Sequence, residues 1–162
     1  MSIELVREYF RGFGIEDRIL EFEVSSATVE LAALAVGVEG ARIAKTLSFL
    51  KKDGSCILVV AAGDARVDNA KYKACFGEKA KMLPHDAVPE LIGHAVGGVC
   101  PFAVKEGVRV CLDISMKRFA TVFPAAGSSN SAIELTTEEL ERYACTTEWV
   151  DVCKGWQEQN CE

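Results

Sequence analysis

Long apolar runs and a secretory leader are missing from this sequence. Its most apolar stretch, Ile57 to Ala62, covers six residues, whereas a membrane-spanning helix needs about 18. The N-terminus carries an acidic residue, Glu4, and lacks the apolar region of a signal peptide. We therefore expect a cytoplasmic protein without a membrane partner. With 49% hydrophobic and 26% charged residues, the 162-residue chain has the composition of a folded globular domain.

The common catalytic and nucleotide-binding signatures are also absent. The sequence contains no Gly-x-Ser-x-Gly, no Gly-x-x-x-x-Gly-Lys, no His-Glu-x-x-His and no Gly-x-Gly-x-x-Gly. It has seven cysteines without a Cys-x-x-Cys pair and two histidines, His85 and His94, which give no basis for a structural zinc site. We expect no metal and no cofactor, and we interpret most cysteines as reduced residues that fill the core.

Positive charge is scarce overall but concentrated in one region. The net charge of −6 argues against a protein that coats DNA. Residues 41–82 nevertheless hold nine Lys/Arg and four Asp/Glu, a balance of +5, which leaves −11 on the rest of the chain. This distribution suits contact with a few phosphates, although lysines on solvated helices would give the same pattern. The acidic C-terminal part, from residue 133 onward, is expected to face away from any nucleic acid.

Hydrophobic periodicity and turn residues predict one compact domain, residues 1–162, of the α+β class with mixed or antiparallel strand pairing. Helices are expected at 3–13, 28–37, 68–77, 86–92 and 136–144, and strands at 19–24, 44–50, 56–62, 80–83, 108–113, 119–124 and 132–135. Thr28 and Asp68 are expected to cap their helices, and Thr136 forms a capping box with Glu139. Asp53-Gly54 predicts a tight turn between two strands.

Lys45 is unusual for its position in a predicted strand. It shares a face with Leu47 and Phe49, and that face should be buried because side chains alternate along a strand. A buried ammonium is costly unless it lines a wet pocket or meets an anion. The alternative is that the strand starts later and Lys45 extends from its edge into water.

Two loops rich in small residues are the other candidate sites. The segment from Gly93 to Phe102 contains adjacent glycines and a proline, and such a loop can aim several backbone N–H groups at one carbonyl oxygen or oxyanion. The segment from Gly127 to Ser131 could hydrogen-bond a ribose, a phosphate or a small side chain. Either loop could equally be an ordinary connection. A nucleophilic pair of Cys100 and His94 is conceivable, but a spacing of six residues within one loop is weak evidence for it.

Taken together and in this order, three segments resemble the YbaK/prolyl-tRNA-synthetase-associated editing domains. They are Ile43 to Phe49, Gly97 to Phe102, and Ala126 to Leu135, and the resemblance covers roughly residues 20–145. It implies a compact fold around a curved mixed sheet flanked by helices, with the pocket on one side. It also implies a deacylase that acts in trans and hydrolyses the ester between a wrong amino acid and the terminal adenosine of a tRNA.

The resemblance also implies roles for individual residues. Lys45 matches the family lysine that contacts the terminal nucleotide, and the loop of Gly97, Gly98, Val99, Cys100 and Pro101 matches the family's Gly-x-x-x-Pro loop, whose backbone holds the aminoacyl carbonyl. Several members use a water, helped by the ribose hydroxyl, in place of a protein nucleophile. We further expect substrate contacts from Thr46, His94, Phe102, Gly127, Ser128 and Ser129, and contacts with tRNA phosphates from Lys71 and Lys73.

Two departures from the Cys-specific branch of the family leave the substrate open. The acid of that branch is replaced by Ala132, and its aromatic residue is not found near Ser25 and Ser26. We expect a small amino acid such as alanine, serine or cysteine, on prolyl or another tRNA, with a synthetase as a further partner. The alternatives are a non-catalytic module that binds the tRNA 3′ end or a protein, and an ester or thioester hydrolase that uses Cys100.

Overall fold

A mixed β-sheet organises the computed structural model, which describes residues 2–95 and 97–156. The strands are β1 (Ile19–Glu21), β2 (Ile43–Leu50), β3 (Cys56–Ala62), β4 (Arg66–Val67), β5 (Arg109–Asp113), β6 (Thr121–Pro124), β7 (Ser131–Ile133), β8 (Leu135–Thr136), β9 (Trp149–Val150) and β10 (Cys153–Lys154). The α-helices are α1 (Ser2–Arg11), α2 (Val29–Val36), α3 (Asn69–Phe76), α4 (Val88–Ile92) and α5 (Thr137–Ala144). Short 3-10 helices cover Glu16–Arg18, Gly40–Arg42, His85–Ala87 and Ile114–Arg118.

Six strands form the main sheet in the order β8-β6-β2-β3-β5-β9. The β2–β3 hairpin is antiparallel from the Ala44–Ala62 pair to the Leu50–Cys56 pair, while β2–β6, β3–β5 and β5–β9 are parallel. Two antiparallel ribbons, β1–β7 and β4–β10, stand beside it. The sheet curls into a half-barrel in a single domain, so the expected α+β class with a curved mixed sheet is confirmed.

Helix ends follow the capping residues expected from the sequence. Thr28 Oγ1 accepts a hydrogen bond from the Leu31 amide at 3.1 Å, and Asp68 Oδ1 accepts from the Ala70 amide at 2.9 Å. Thr136 and Glu139 form the reciprocal capping box at the start of α5. These predictions are confirmed because a cap depends on groups within three residues of each other.

The predicted strand at 80–83 is wrong. This segment meets β2 through one isolated bridge between Met82 and Phe49, flanked by hydrogen bonds from the Leu50 amide to Lys81 O and from the Leu83 amide to Ser48 O. Pro84 follows at once, and the chain turns into a 3-10 helix. The predicted strand at 132–135 is divided at Glu134, because β7 pairs with β1 whereas β8 pairs with β6. The short strands β4, β9 and β10 were not predicted.

The core lies on both faces of β3, whose seven residues are all buried. On one face, Phe49 of β2 packs on Tyr72 of α3 with ring centroids 4.9 Å apart. Phe10 of α1 contacts Phe102 at 4.9 Å. Within the described residues, no helix combines the length and the apolar character that crossing a membrane requires.

Asp113, at the end of β5, is a buried carboxylate that ties two loops together. Its Oδ1 accepts from the Val152 amide and its Oδ2 from the Ser115 amide, both at 3.0 Å, and the residue has no exposed surface. We expect Asp113→Ala to lower the free energy of unfolding by about 3 kcal/mol, because both amides lose their buried acceptor. Urea denaturation of both proteins would measure this loss. A loss below about 1 kcal/mol would mean that water replaces the carboxylate.

Candidate functional site

A cavity of about 280 Å³ opens beside the first half of β2. Its wall is mostly apolar and comes from α2 and the residues before it, β2, the 82–88 segment, the 97–102 loop, which we call the glycine loop, and the β6–β7 region. The lining residues are Ser26, Ala27, Thr28, Val29, Ala32, Ile43, Ala44, Lys45, Thr46, Leu47, Ser48, Met82, Leu83, His85, Val88, Gly97, Val99, Phe123, Ala125, Ser131 and Ala132. No aspartate or glutamate contributes to this wall among the described residues. A small apolar pocket with a few polar groups is the usual form of a small-ligand site.

Lys45 lines this cavity and is partly buried. Its Nζ donates a hydrogen bond to Gly63 O at 3.3 Å and another to Ala65 O. Since an ammonium has three donors, one has no partner among the described residues. Burial lowers the pKa of Lys45, and the nearby carboxylates of Asp64 and Glu30 oppose this shift. Because β2 begins at Ile43, the alternative in which the strand starts after Lys45 is wrong.

The glycine loop contributes Gly97 and Val99 to the cavity wall. The Gly98 amide donates to Ala95 O at 3.0 Å, whereas the amides of Gly97, Val99 and Cys100 make no hydrogen bond within residues 2–95 and 97–156. Gly97 has φ +93°, a left-handed conformation that favours glycine. The loop therefore carries backbone donors beside the cavity without a partner in the described part of the chain.

Glycine is required at position 98 because a second loop, the β6–β7 connection, packs closely against it. A Cβ on Gly98 would lie 2.8 Å from Gly127 C and from Ser128 N and Cα. The β6–β7 connection thus packs backbone against backbone on the glycine loop. The two candidate loops of the sequence are brought together, and both reach the cavity wall, the first through Gly97 and Val99 and the second through Ser131.

The side chains of Cys100, His94 and Phe102 do not reach the cavity. His94 is 1% exposed and its Nε2 lies 2.6 Å from Phe102 O and 3.6 Å from Cys100 Sγ. Burial raises the pKa of Cys100 to about 12 and lowers the pKa of His94. A neutral, enclosed thiol is a poor nucleophile, so the structure gives no support to a Cys100–His94 pair or to substrate contacts from His94 and Phe102.

Cysteine reactivity tests this assignment directly. Cys75 and Cys145 are exposed, whereas Cys100 is fully buried. Iodoacetamide at neutral pH is therefore expected to alkylate Cys75 and Cys145 in the native protein and to leave Cys100 unmodified, as read by mass spectrometry of peptides. Alkylation of Cys100 at a rate similar to that of Cys75 would show that its thiol is accessible.

The residues Gly127, Ser128 and Ser129 pack against the glycine loop and do not themselves line the cavity. Ser128 Oγ lies 2.9 Å from Asn130 Oδ1 and 2.7 Å from Ser131 Oγ, and Ser129 O accepts from the Ser26 amide at 2.6 Å. The hydroxyl of Ser128 is thus engaged within its own loop. The residues of this region that line the cavity are Ser131 and Ala132; the first three do not line it, and their substrate contacts stay a prediction.

Thr46, one of the expected substrate contacts, lines the cavity. Its Oγ1 is buried and has no hydrogen-bond partner among the described residues. Sequence reasoning missed Val29 and Ala32 of α2 and the 82–88 segment. The spacing of Thr28, Val29 and Ala32 on one helix face was an available signal, whereas Met82 and Val88 reach the wall only through the chain path after β3.

The two lysines proposed for tRNA phosphates differ in their surroundings. Lys71 Nζ donates to Asp151 Oδ1 at 3.0 Å and to Cys153 O at 3.2 Å, so its charge is already paired. Lys73 is exposed on α3 and makes no ion pair with a described residue. Four further lysines without such a pair lie on the adjoining β2–β3 turn and 79–81 segment, and we call them the lysine edge: Lys51, Lys52, Lys79 and Lys81.

Comparison with known proteins identifies the class. Residues 23–143 match the family model of the aminoacyl-tRNA editing domain, and the chain belongs to this family. It is 52% identical to the uncharacterized protein YwhH of Bacillus subtilis (strain 168) over 157 residues, 97% of this chain and all of that protein. It is 26% identical over 114 residues, 70% of each chain, to EbsC of Enterococcus faecalis, described as a candidate Cys-tRNA(Pro)/Cys-tRNA(Cys) deacylase.

A solved structure gives the same assignment at the level of the fold. It is described as a candidate trans-editing enzyme for prolyl tRNA synthetase and superposes with a TM-score of 0.84 at 27% identity. The match covers 95% of this chain and 98% of that one. The resemblance to the YbaK-type editing domains is therefore confirmed, and the family points to a deacylase.

Proposed function

We propose that the protein is a trans-acting deacylase that hydrolyses the ester of a mischarged tRNA. The observation that carries this proposal is that Lys45 meets Gly97 and Val99, whose amides have no partner among the described residues, at one small, mostly apolar cavity. A pocket of this kind admits an aminoacyl ester, and the family match and the description of EbsC as a candidate deacylase support the reaction type.

The reaction needs no protein nucleophile. A water attacks the ester carbonyl, the carbonyl oxygen takes up negative charge, and the amides of Gly97 and Val99, two residues of the cavity wall, are the donors that can stabilise it. The C–O bond to the ribose then breaks, the ribose oxygen receives the proton that the attacking water gives up, and the free amino acid leaves. The remaining donor of Lys45 holds the terminal nucleotide, which orients the ester and lowers the entropic part of the barrier.

The cavity favours a small side chain. Its volume is about 280 Å³ and its wall includes Ile43, Val29 and Phe123. Ala132 stands where the Cys-specific branch has an acid, so the wall, as far as the described residues form it, offers no carboxylate to a polar substrate group. Alanine, serine and cysteine remain the expected amino acids, and discrimination among them is limited because one methylene contributes about 1–3 kcal/mol.

The deciding experiment is deacylation of a panel of aminoacyl-tRNAs by the wild-type protein. The panel contains alanyl-, seryl-, cysteinyl- and prolyl-tRNA(Pro), together with alanyl-tRNA(Ala) and cysteinyl-tRNA(Cys). Rapid hydrolysis of one or two mischarged species, with prolyl-tRNA(Pro) spared, is the expected result. If every species is stable while the protein still binds tRNA, the fold serves a binding module and the proposed activity is wrong.

The lysine edge is the surface that we propose for the tRNA backbone. It adjoins Met82, which lines the cavity, and its lysines make no ion pair with a described residue. Lys79→Glu combined with Lys81→Glu is expected to weaken tRNA binding and to reduce the slope of log K against log salt by about 2, since each phosphate contact contributes about 1. The set of amino acids removed should not change.

Two matched variants make this test specific. Lys105→Glu with Lys117→Glu has the same change in charge on exposed lysines away from the lysine edge, and we expect it to alter the salt slope little. Lys73→Glu tests the position expected from the sequence. Equal slopes in the two double variants would mean that binding responds only to the net charge of the protein.

A further inference from the structure

The turn that follows β3 holds the ammonium group of Lys45. Gly63 O and Ala65 O both accept hydrogen bonds from Lys45 Nζ, and these two carbonyls flank Asp64 in the chain. We propose that Arg118 and Asp64 are a positioning pair, which fixes this turn and thereby aims the last free donor of Lys45 at the substrate. The inference rests on the proposed deacylase function and extends it to residues outside the cavity wall.

The contact between Arg118 and Asp64 has the geometry of a strong pair. Arg118 Nη1 donates to Asp64 Oδ2 at 3.0 Å and Nη2 donates to Oδ1 at 2.5 Å. The two side chains are only 15% and 12% exposed, so water screens the pair weakly. A two-bonded guanidinium–carboxylate contact restrains both position and orientation. The carboxylate of Asp64 therefore cannot move without Arg118.

Arg118 is in turn fixed by its own surroundings. Its Nε donates to Ser115 O at 2.8 Å, within the 3-10 helix that follows β5. Its guanidinium lies 4.8 Å from the ring centroid of Phe119 and 5.0 Å from that of Trp156. Such stacking limits the rotamers of an arginine. The turn is thus anchored by an arginine of the 114–118 helix whose own position is fixed, and not by a loose surface side chain.

Further contacts hold the turn from its other sides. The Ala62 amide donates to the buried Ser115 Oγ at 3.1 Å. A Cβ on Gly63 would lie 2.0 Å from Gly40 O, so the backbones of these two segments are in direct contact. The turn is therefore placed between the 40–42 and 114–118 helices. A displacement of Asp64 would be transmitted to both carbonyls that hold Lys45.

The groups around Lys45 show why its hydrogen bonds to the turn affect both its pKa and the direction of its remaining donor. Lys45 faces Asp64 in the turn, Glu30 on α2, Cys153 on β10 and Arg66 on β4. Burial lowers the pKa of Lys45, and the carboxylates favour its charged form. If the turn loosened, the ammonium would gain access to water and its remaining donor would lose its direction. Arg118 therefore acts on the reaction through Lys45 and touches no substrate atom.

A double-mutant cycle with Lys45 tests this role. Arg118→Gln is expected to lower kcat/KM about tenfold or more in the wild-type background, since small displacements of a catalytic group have effects of this size. In the Lys45→Ala background, measured at high enzyme concentration, the same change should have less than about a twofold effect. Arg109→Gln is the matched control, because Arg109 makes a similar contact with Glu148 on the surface away from the cavity.

The cycle has two outcomes that overturn the proposal. An unchanged kcat/KM in Arg118→Gln shows that the pair does not influence Lys45. An equal loss in both backgrounds shows a structural role that does not pass through Lys45. If Arg118→Gln does not fold, two milder variants replace it in the same cycle. Asp64→Asn keeps the shape of the carboxylate and Arg118→Lys keeps the positive charge, and we expect a smaller loss of kcat/KM from each.

A second readout does not depend on the deacylase activity. In protein with 13Cε-labelled lysine, the Lys45 signal, assigned from the Lys45→Ala spectrum, is expected to titrate below the exposed lysines. In Arg118→Gln the pKa of Lys45 should rise, because the loosened turn lets water reach the ammonium, whose burial lowers its pKa. An unchanged titration would overturn the proposal. If the wild type hydrolysed no tRNA, the proposed function would fail while this measurement still decided the positioning role.

Discussion

Lys45→Ala is expected to reduce kcat/KM for deacylation by about a hundredfold, the loss seen when one preorganised donor is removed from an enclosed site. The residue supplies the only lysine or arginine charge on the cavity wall among the described residues, and two of its three donors are already held by Gly63 O and Ala65 O. The direction of its third donor is therefore fixed before the substrate binds. Initial rates on the aminoacyl-tRNA selected by the panel measure the effect.

The stability of this variant separates chemistry from folding. An ammonium that is partly buried contributes little to stability, because its desolvation offsets its hydrogen bonds. Thermal unfolding of Lys45→Ala should therefore change little, and Lys45→Met, which keeps the length of the side chain without the charge, should be as inactive as Lys45→Ala. If Lys45→Met retained most of the activity, the side chain would act by filling space and its charge would not be needed.

Gly98→Ala should have the second large effect, a loss of about tenfold to a hundredfold in kcat/KM from misplacement of the loop amides. The added methyl would lie 2.8 Å from backbone atoms of Gly127 and Ser128, and backbone cannot move aside as a flexible side chain can. The two loops would have to separate. We expect an accompanying loss of about 1–3 kcal/mol in the free energy of unfolding, typical of overpacking.

The matched control for this variant is Gly12→Ala. Gly12, like Gly98, lacks a positive φ, and a Cβ there would lie 3.4 Å from Tyr9 O, close to ordinary contact. This change is expected to alter neither activity nor stability by much. If Gly98→Ala kept wild-type activity while losing stability, the loop amides would not be the groups that stabilise the oxyanion.

Helix ends and the β2–β3 hairpin were predictable because their causes are local. Thr28, Asp68 and the Thr136–Glu139 box act within three residues, and the turn at Asp53-Gly54 sets the register of two adjacent strands. The same reasoning failed at 80–83. The length of strand pairing there depends on contact with the edge of β2, which is distant in the sequence. It could not find β9 and β10, because two-residue strands exist only through their partners.

The candidate site, like the fold, has features that the sequence predicts and features that depend on contacts between distant segments. Lys45 stood out in the sequence because a charge in an apolar strand is costly, and the two glycines at 97 and 98 stood out because they permit unusual backbone. The sequence alone thus determined the family and the capped helices, and it singled out candidate site residues whose roles stay a prediction. It gave no sign that Lys71 is paired with Asp151 or that His94 is enclosed by the core.

Only the tertiary structure decided which candidates share one cavity. Gly97 and Val99 meet Lys45 at the wall, whereas Cys100 and Phe102, in the same loop, turn into the core. Likewise, Arg118 and Asp64 are 54 positions apart in the chain and meet only because β3 and β5 are parallel neighbours. Burial and ion pairing depend on contacts between distant segments, and side-chain patterns along the chain do not record those contacts.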